Sequence, residues 1–358
     1  MSNVNTMTDE AVEAVYLFIG ELHGYKRGTV EDKLEFGKKC FKDRTLPAAE
    51  GDDLHERIWL ERLYDELSEL NMYKWANGTY EGFHWSVPLE LDASASMLGI
   101  TGALLGDVRL LTMTNMFGDE DVLDDPWHID GLSRLHVKTA STPRLYGSDQ
   151  PVHALWKKKK LEFDMPMLDI MNTQFSKGAI GLADAFKDFV VHNCNMKPEM
   201  DIQIWNEKFT IKCNHYKRVG DVPVSFELYD TETKSIRKVT HMKTKMVPDL
   251  ERFRTFTQTL LIHNLDSQAC NYVCGKTFDK YGFVLDVHDA YIVSPVAAAD
   301  VRAWYAEFMD MIYVNRAEIL RGYFQSIGIT QSAAQAWDTI QSKVIPVTNF
   351  KCRTMALK

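Results

Sequence analysis

The chain contains no Cys-x-x-Cys pair. Its six cysteines, Cys40, Cys194, Cys213, Cys270, Cys274 and Cys352, are scattered over 358 residues, a usage that predicts reduced thiols rather than a disulfide framework. Cys270 and Cys274 share one face of an expected helix, QACNYVCGK, where packing accounts for them better than a metal or redox site. The eleven histidines form no His-Glu-x-x-His or similar ligand spacing, which removes the common zinc-hydrolase reading. No segment approaches ~20 uninterrupted apolar residues, so no membrane-spanning helix is expected. The N-terminal segment MSNVNTMTDEAVEAVYLFIGEL lacks a basic region ahead of its short apolar run and does not read as a secretory signal. Positive charge is not in excess: the formal net charge of −9 leaves any nucleic-acid surface to a local basic patch. Internal repeats and low-complexity tracts are also absent.

What is present is ordinary globular usage. Hydrophobic residues at 45% and charged residues at 25% supply a real core for one large domain or two to three smaller ones. Residues 9 to 75 read as helices broken by the polar loop TLPAAEGDD, with Leu54, Ile58, Trp59, Leu63, Leu67 and Leu70 near helical spacing. HWSVPLELD reads as a strand ending on Asp92, and ASASMLGITGALLGD as a closely packed apolar helix. Trp127 to about Lys160 is helical and basic, ending in Lys157 to Lys160; that run suits template phosphates and a solvated face alike. Residues 164 to 195 look helical. From 202 to 245 alternation with turn signals predicts β-hairpins. A helix follows, with Leu250, Phe253, Phe256, Leu260 and Leu261 on its apolar side. Val301, Trp304, Tyr305, Phe308 and Ile312 share one face of a later core helix.

Two carboxylates stand out. VLDVHDAYIVSP interrupts two strand-like pieces with His288 and Asp289. A turn with a polar cap explains this, and so does a carboxylate presented at a hairpin tip to hold a metal. Asp92 is the counterpart, a strand-end aspartate followed by the small residues Ala93, Ser94, Ala95 and Ser96, which allow close approach of a ligand. Hard cations such as Mg²⁺ favour carboxylate, carbonyl and phosphate oxygens, and two of them clamp a phosphoryl displacement. Between the aspartates lies RLHVKTASTPRLYGS. Arg134 and Lys138 are four apart on one helical face, and Tyr146 follows about two turns later. Two cations and an aromatic in a row suit a nucleoside triphosphate; a solvated basic helix ending in Tyr fits the pattern equally.

In this order the three pieces resemble the bacteriophage and mitochondrial single-subunit DNA-directed RNA polymerases. DASAS is similar to the family's first palm motif, R-x-x-x-K-x-x-x-x-x-x-x-Y-G to its fingers helix, and HDA to its third motif, usually His-Asp-Ser. NLDSQACNYV and KYGFVLDVHD resemble the flanking segments, so the likeness covers roughly residues 80 to 320. The resemblance implies an α+β right-hand polymerase module: a helical N-terminal part of the palm at 1–80, palm at 81–115, fingers at 116–264 with a β-hairpin insertion at 202–245, and palm again at 265–358. It implies Asp92 and Asp289 as catalytic ligands of two Mg²⁺ ions with the Ala93 carbonyl, and Lys138 and Tyr146 as catalytic. Arg134, Lys138, Tyr146, Ser94, Trp127, His288 and Asp266 would bind substrate, and Lys42 is a looser candidate for a phosphate contact. The implied reactants are a DNA template, an RNA product and ribonucleoside triphosphates, in the cytoplasm of an infected bacterial host.

DNA polymerases of the same superfamily are the main alternative. They carry a Glu shortly after the first Asp, a Phe where Thr142 stands, and usually His-Asp-Glu as third motif; all three differences favour RNA synthesis. A non-catalytic nucleic-acid-binding relative is a further alternative, and reverse transcriptases are set aside by the lack of Tyr-x-Asp-Asp. The chain departs from the family at Asp266, usually His, at Trp127, more often Tyr, at Pro143 inside the fingers helix, and in a short interval from Asp92 to Lys138. No Gly-Arg dipeptide occurs, although the family's palm begins with one. The chain thus resembles the larger subunit of a split two-chain phage polymerase, and the expectation is a partner subunit that supplies the N-terminal domain, thumb and Gly-Arg motif, with an accessory protein for promoter opening and no membrane association; a degraded or truncated single-chain enzyme is the alternative.

Overall fold

A computed structural model describes residues 6–46, 54–287 and 290–357. Helix α1 (Asp9–Leu22) starts behind Thr8, whose hydroxyl accepts from the Ala11 N–H at 3.1 Å; this satisfies one of the orphan donors of the first turn. A short strand β1 (Gly28–Thr29) leads into α2 (Val30–Asp43), which packs back on α1. In α3 (Leu54–Asn77), Leu63, Leu67 and Leu70 are buried as their spacing predicts, while Ile58 is exposed. Strand β2 (Leu89–Asp92) is shorter than the expected stretch from His84. Pro88 has no N–H to give to a ladder, so pairing begins after it.

Helix α4 (Ser96–Leu105) is buried at every position. Gly102 makes this possible: a Cβ there would stand 2.9 Å from Leu110 Cβ, so only glycine lets α4 lie this close to α5 (Val108–Met113). Strand β3 (Val122–Leu123) then pairs with β1. The two long helical stretches expected at 127–160 and 164–195 are each divided. The first becomes α6 (Arg134–Leu145) and α7 (Val152–Lys158), separated by a turn through Gly147 and Pro151. The second becomes α8 (Met165–Lys177) and α9 (Ala179–Asn193), which meet at Gly178.

Two hairpins follow, β4 (Glu199–Ile204) with β5 (Glu207–Lys212), and β6 (Tyr216–Asp230) with β7 (Ser235–Pro248). The second is a long two-stranded ribbon exposed along almost its whole length. The expected helix after it is split into α10 (Leu250–Arg254) and α11 (Thr257–Tyr281), which leaves Phe256 exposed at the break while Phe253 and Leu261 are buried. Strands β8 (Leu285–Val287) and β9 (Ala290–Val293) precede α12 (Ala298–Ser326) and α13 (Ala334–Gln341). In α12, Val301, Tyr305, Phe308 and Ile312 are buried, as the periodicity predicts.

The architecture is α+β with small antiparallel sheets. The sheet that matters for the site is three-stranded, in the order β2-β9-β8. Helices α4, α11 and α12 pack together beside it, and most of the buried apolar side chains form one contiguous cluster. Among the described residues no helix is long and apolar enough to cross a membrane.

Candidate active site

The β2–β9 ladder joins segments almost two hundred residues apart. Its register pairs Leu91 with Tyr291 and Asp92 with Ala290. Val287 pairs with the same Ala290 from the other side. Asp92 thus ends its strand directly across from the residue that follows Asp289 in the chain. His288 and Asp289 themselves lie outside the described residues. Asp92 is exposed at the end of a strand whose alternate residues, Leu89 and Leu91, are buried. The sheet period places these two leucines in the core and leaves the aspartate at the rim.

A cleft of about 280 Å³ opens at this strand end. Its lining includes Asp92, Ala93, Ser94, Trp127, Arg134, Lys138 and Tyr146. Seven residues expected from sequence at five separate places in the chain therefore share one cavity. Asp266 is half-buried on α11 and does not line it, and Lys42 is exposed in the last turn of α2, also outside it.

Local chemistry explains how α6 presents its side chains. Ser133 caps the helix and Arg134 and Lys138 follow one turn apart on the cleft side. Pro143 lies inside the last turn and has no N–H to give to the carbonyl four residues back, which weakens the ladder where the helix ends. The helix then closes with Gly147 N–H donating to Arg144 O at 3.0 Å and Ser148 N–H to Pro143 O at 2.9 Å, with Gly147 at φ +94°. This is a Schellman ending, which favours glycine at the left-handed position. It makes Tyr146 the capping residue, 42% exposed and facing the cleft. Arg144 pairs with Asp184 of α9 at 2.7 Å, and Lys187 donates to Arg144 O at 3.1 Å, so the end of α6 is clamped to α9.

Arg134 is oriented by a residue the sequence did not single out. Asp125, only 8% exposed, accepts from Arg134 Nε at 2.8 Å and from Trp127 N–H at 3.2 Å. The acidic loop carrying it is tied to the segment after Asp92 by buried Asn115, whose amide donates to Ser94 Oγ at 3.2 Å and to Asp124 O at 2.9 Å. Ser94 therefore braces the loop that aims Arg134. His263 of α11 was also missed; its ring lies 5.6 Å from that of Tyr146. It sits one turn before Asp266 on the same helix. Thr142 Oγ1, on the cleft-lining stretch of α6, is buried with no hydrogen-bond partner among the described residues, and such an atom favours a polar ligand.

The oxygen donors fit a hard divalent cation in kind: a rim carboxylate and a neighbouring carbonyl. The Ala93 carbonyl already accepts from Ala95 N–H at 2.8 Å, which among the described residues leaves one of its two lone pairs. Ala95 takes the left-handed conformation, φ +65°, a strain of the kind stored at functional sites.

The cleft's remaining charges come from the end of α1. Glu21 pairs with Lys26 and, at 2.5 Å, with Lys33, which is 1% exposed. Burial would raise the Glu21 carboxyl, but Lys33 and Lys26 together hold it at about 2; burial pushes the Lys33 ammonium down against the pull of Glu21. Because the folded value lies below the ordinary 4.5, the pair's stabilisation is present above that pH and is lost as pH falls toward about 2. Glu21→Gln leaves a buried ammonium without its carboxylate, so it is expected to cost about 3 kcal/mol. Lys33→Met leaves the less buried Glu21 with Lys26 still beside it, so it is expected to cost less than Glu21→Gln. Thermal melts of both variants check this; equal losses would show that the charge imbalance is not what matters.

No family model matches the chain, and no curated protein matches it either.

Proposed function

We propose that the cleft is the site of template-directed ribonucleotidyl transfer, as in a single-subunit DNA-directed RNA polymerase. The observation that carries this reading is the register that sets Asp92 opposite Ala290, next in sequence to Asp289, in a cavity that α6 lines with Arg134, Lys138 and Tyr146. In the reaction the 3′-oxygen of an RNA attacks the α-phosphorus of a ribonucleoside triphosphate. A new P–O bond forms, the bond to the bridging oxygen breaks, and pyrophosphate leaves. Two Mg²⁺ ions, held by Asp92 and Asp289 with the Ala93 carbonyl, would supply positive charge to the attacking and leaving oxygens. Arg134, aimed by Asp125, binds the outer phosphates. Lys138 meets the α-phosphate region and gives a proton to the departing pyrophosphate. Trp127 and Tyr146 bound the sugar and base side of the cleft. Isothermal titration with a magnesium ribonucleoside triphosphate tests the assignment: binding is expected, and Arg134→Ala combined with Lys138→Ala should remove it. Binding unaffected by the double change would place the nucleotide elsewhere.

Tyr146 is assigned to sugar recognition. A site built to hydrogen-bond a hydroxyl rejects the analogue lacking it. Tyr146→Phe keeps the ring against His263 and deletes one oxygen. Leaving a buried polar group unpaired costs about 1–3 kcal/mol, so the preference for ribo- over deoxynucleotides should fall roughly ten-fold while RNA synthesis persists. A fixed ratio of kcat/KM values with collapsed activity would make Tyr146 structural.

The β6–β7 ribbon is assigned to nucleic-acid binding. Residues directly opposite share a face, and one face sets Val222, Val224, Phe226 and Leu228 on β6 against Lys243, His241, Val239 and Arg237 on β7, with Lys245 beside them opposite Gly220. An apolar lane thus runs along a basic one. Replacing Arg237, Lys243 and Lys245 by Gln should weaken template binding and flatten its salt dependence by about one unit of slope for each phosphate no longer neutralised. An unchanged slope would leave these charges merely solvated.

A further inference from the structure

We propose that Cys270, Cys274 and Asp286 form a zinc-binding site that clasps strand β8 to helix α11. The sequence favours packing for the two cysteines because it does not show which side chain faces them across the fold. The structure brings in Asp286: one ligand atom from each of the three residues lies within 4.8 Å of the others. The two sulfurs are 3.8 Å apart. Two thiolates bound at about 2.3 Å to a tetrahedral zinc ion stand about 3.8 Å from each other, so the thiols already have the spacing the metal requires. The i,i+4 offset on α11 produces it, since such residues lie one above the other on a helix face.

The chemistry separates this site from the cleft. Thiolates select zinc and softer ions, whereas the carboxylate and carbonyl oxygens at Asp92 suit magnesium. The ladder separates it too. Asp286 pairs with Tyr291, which pairs with Leu91, so it stands on the sheet face opposite to that of Asp92. Three protein ligands leave the fourth tetrahedral position to water. The hydrogen bond between the sulfurs pushes the Cys270 thiol up and the Cys274 thiol down; metal binding would release the thiol protons to solvent.

The mechanical consequence follows from β8. It is the edge strand of its sheet and all three of its residues are exposed. A metal bridge to α11 would fix the strand that leads directly into His288 and Asp289.

The test is a Co²⁺ titration of the full reduced chain, followed by near-ultraviolet thiolate-to-cobalt absorption and the visible bands of tetrahedral cobalt. One equivalent should saturate the signal and Zn²⁺ should displace it. Cys270→Ser and Cys274→Ser should each remove the charge-transfer band, Asp286→Asn should weaken binding at least ten-fold, and Cys194→Ser should change nothing. X-ray absorption of the zinc-loaded wild type, which needs no variant to fold, should show two sulfur neighbours. A wild type that shows no thiolate-to-cobalt band, a band that survives both serine changes, or a Cys270–Cys274 disulfide formed in place of metal binding would overturn the proposal.

Discussion

Asp92→Asn is expected to lower nucleotide incorporation by three or more orders of magnitude while the protein stays folded. The change keeps the side chain's shape and removes one negative charge from the strand end. Charge stabilisation at a two-metal centre contributes several kcal/mol, and each ~1.4 kcal/mol is a factor of ten in rate. Stability should barely move, because Asp92 is exposed at the rim while Leu89 and Leu91 anchor the strand. Asp289→Asn should give a loss of the same order. Single-turnover extension rates, with thermal melts alongside, check both. A variant that melts early and also loses activity would make Asp92 a structural residue.

Lys138→Met should reduce kcat by about 10²–10⁴, the range of a positioned general acid, with a smaller change in KM. Arg134→Ala should do the opposite, raising KM more than it lowers kcat. The two side chains are one turn apart on α6, yet among the described residues only Arg134 is held by a carboxylate, Asp125 at 2.8 Å. That tether suits an orienting role for Arg134 in binding. Asp125→Asn should therefore resemble a weak Arg134→Ala in KM. If Lys138→Met moved only KM, the leaving-group role would pass to another donor and Lys138 would be a binding residue.

How much of the fold and site was legible beforehand follows from the physics of each signal. The strand end at Asp92, the helix carrying Arg134 and Lys138, and the hairpin flanking residues 288 and 289 were readable because each is a short periodic pattern broken by residues that do not suit it. The end of α6 at Tyr146 was readable from Pro143 and Gly147, whose backbone preferences are strong. Boundaries that depend on single breakers were missed: Pro88 shortened β2, Gly178 divided α8 from α9, and a break near Phe256 separated α10 from α11. Glu21, Lys33, Asp125 and His263 carried no local signal at all. Glu21 and Lys33 look like solvated charges until α2 packs on α1 and buries the ammonium to 1% exposure. Asp125 sat in an acidic loop with several equivalent carboxylates, and what distinguishes it is its burial and its bonds from Arg134 Nε and Trp127 N–H. The same holds for Asp286, whose proximity to Cys270 and Cys274 is a product of the tertiary fold.

The most direct measurement of the central claim is extension of a labelled RNA primer on a DNA template by the chain purified with the proteins that accompany it in its native host. The reading predicts addition of the ribonucleotide complementary to each template base, one pyrophosphate released per addition, a requirement for Mg²⁺, and loss of all of this in the Asp92→Asn counterpart. Extension that continues undiminished in the Asp92→Asn protein, or a wild type that binds template and triphosphate and adds nothing, would contradict it.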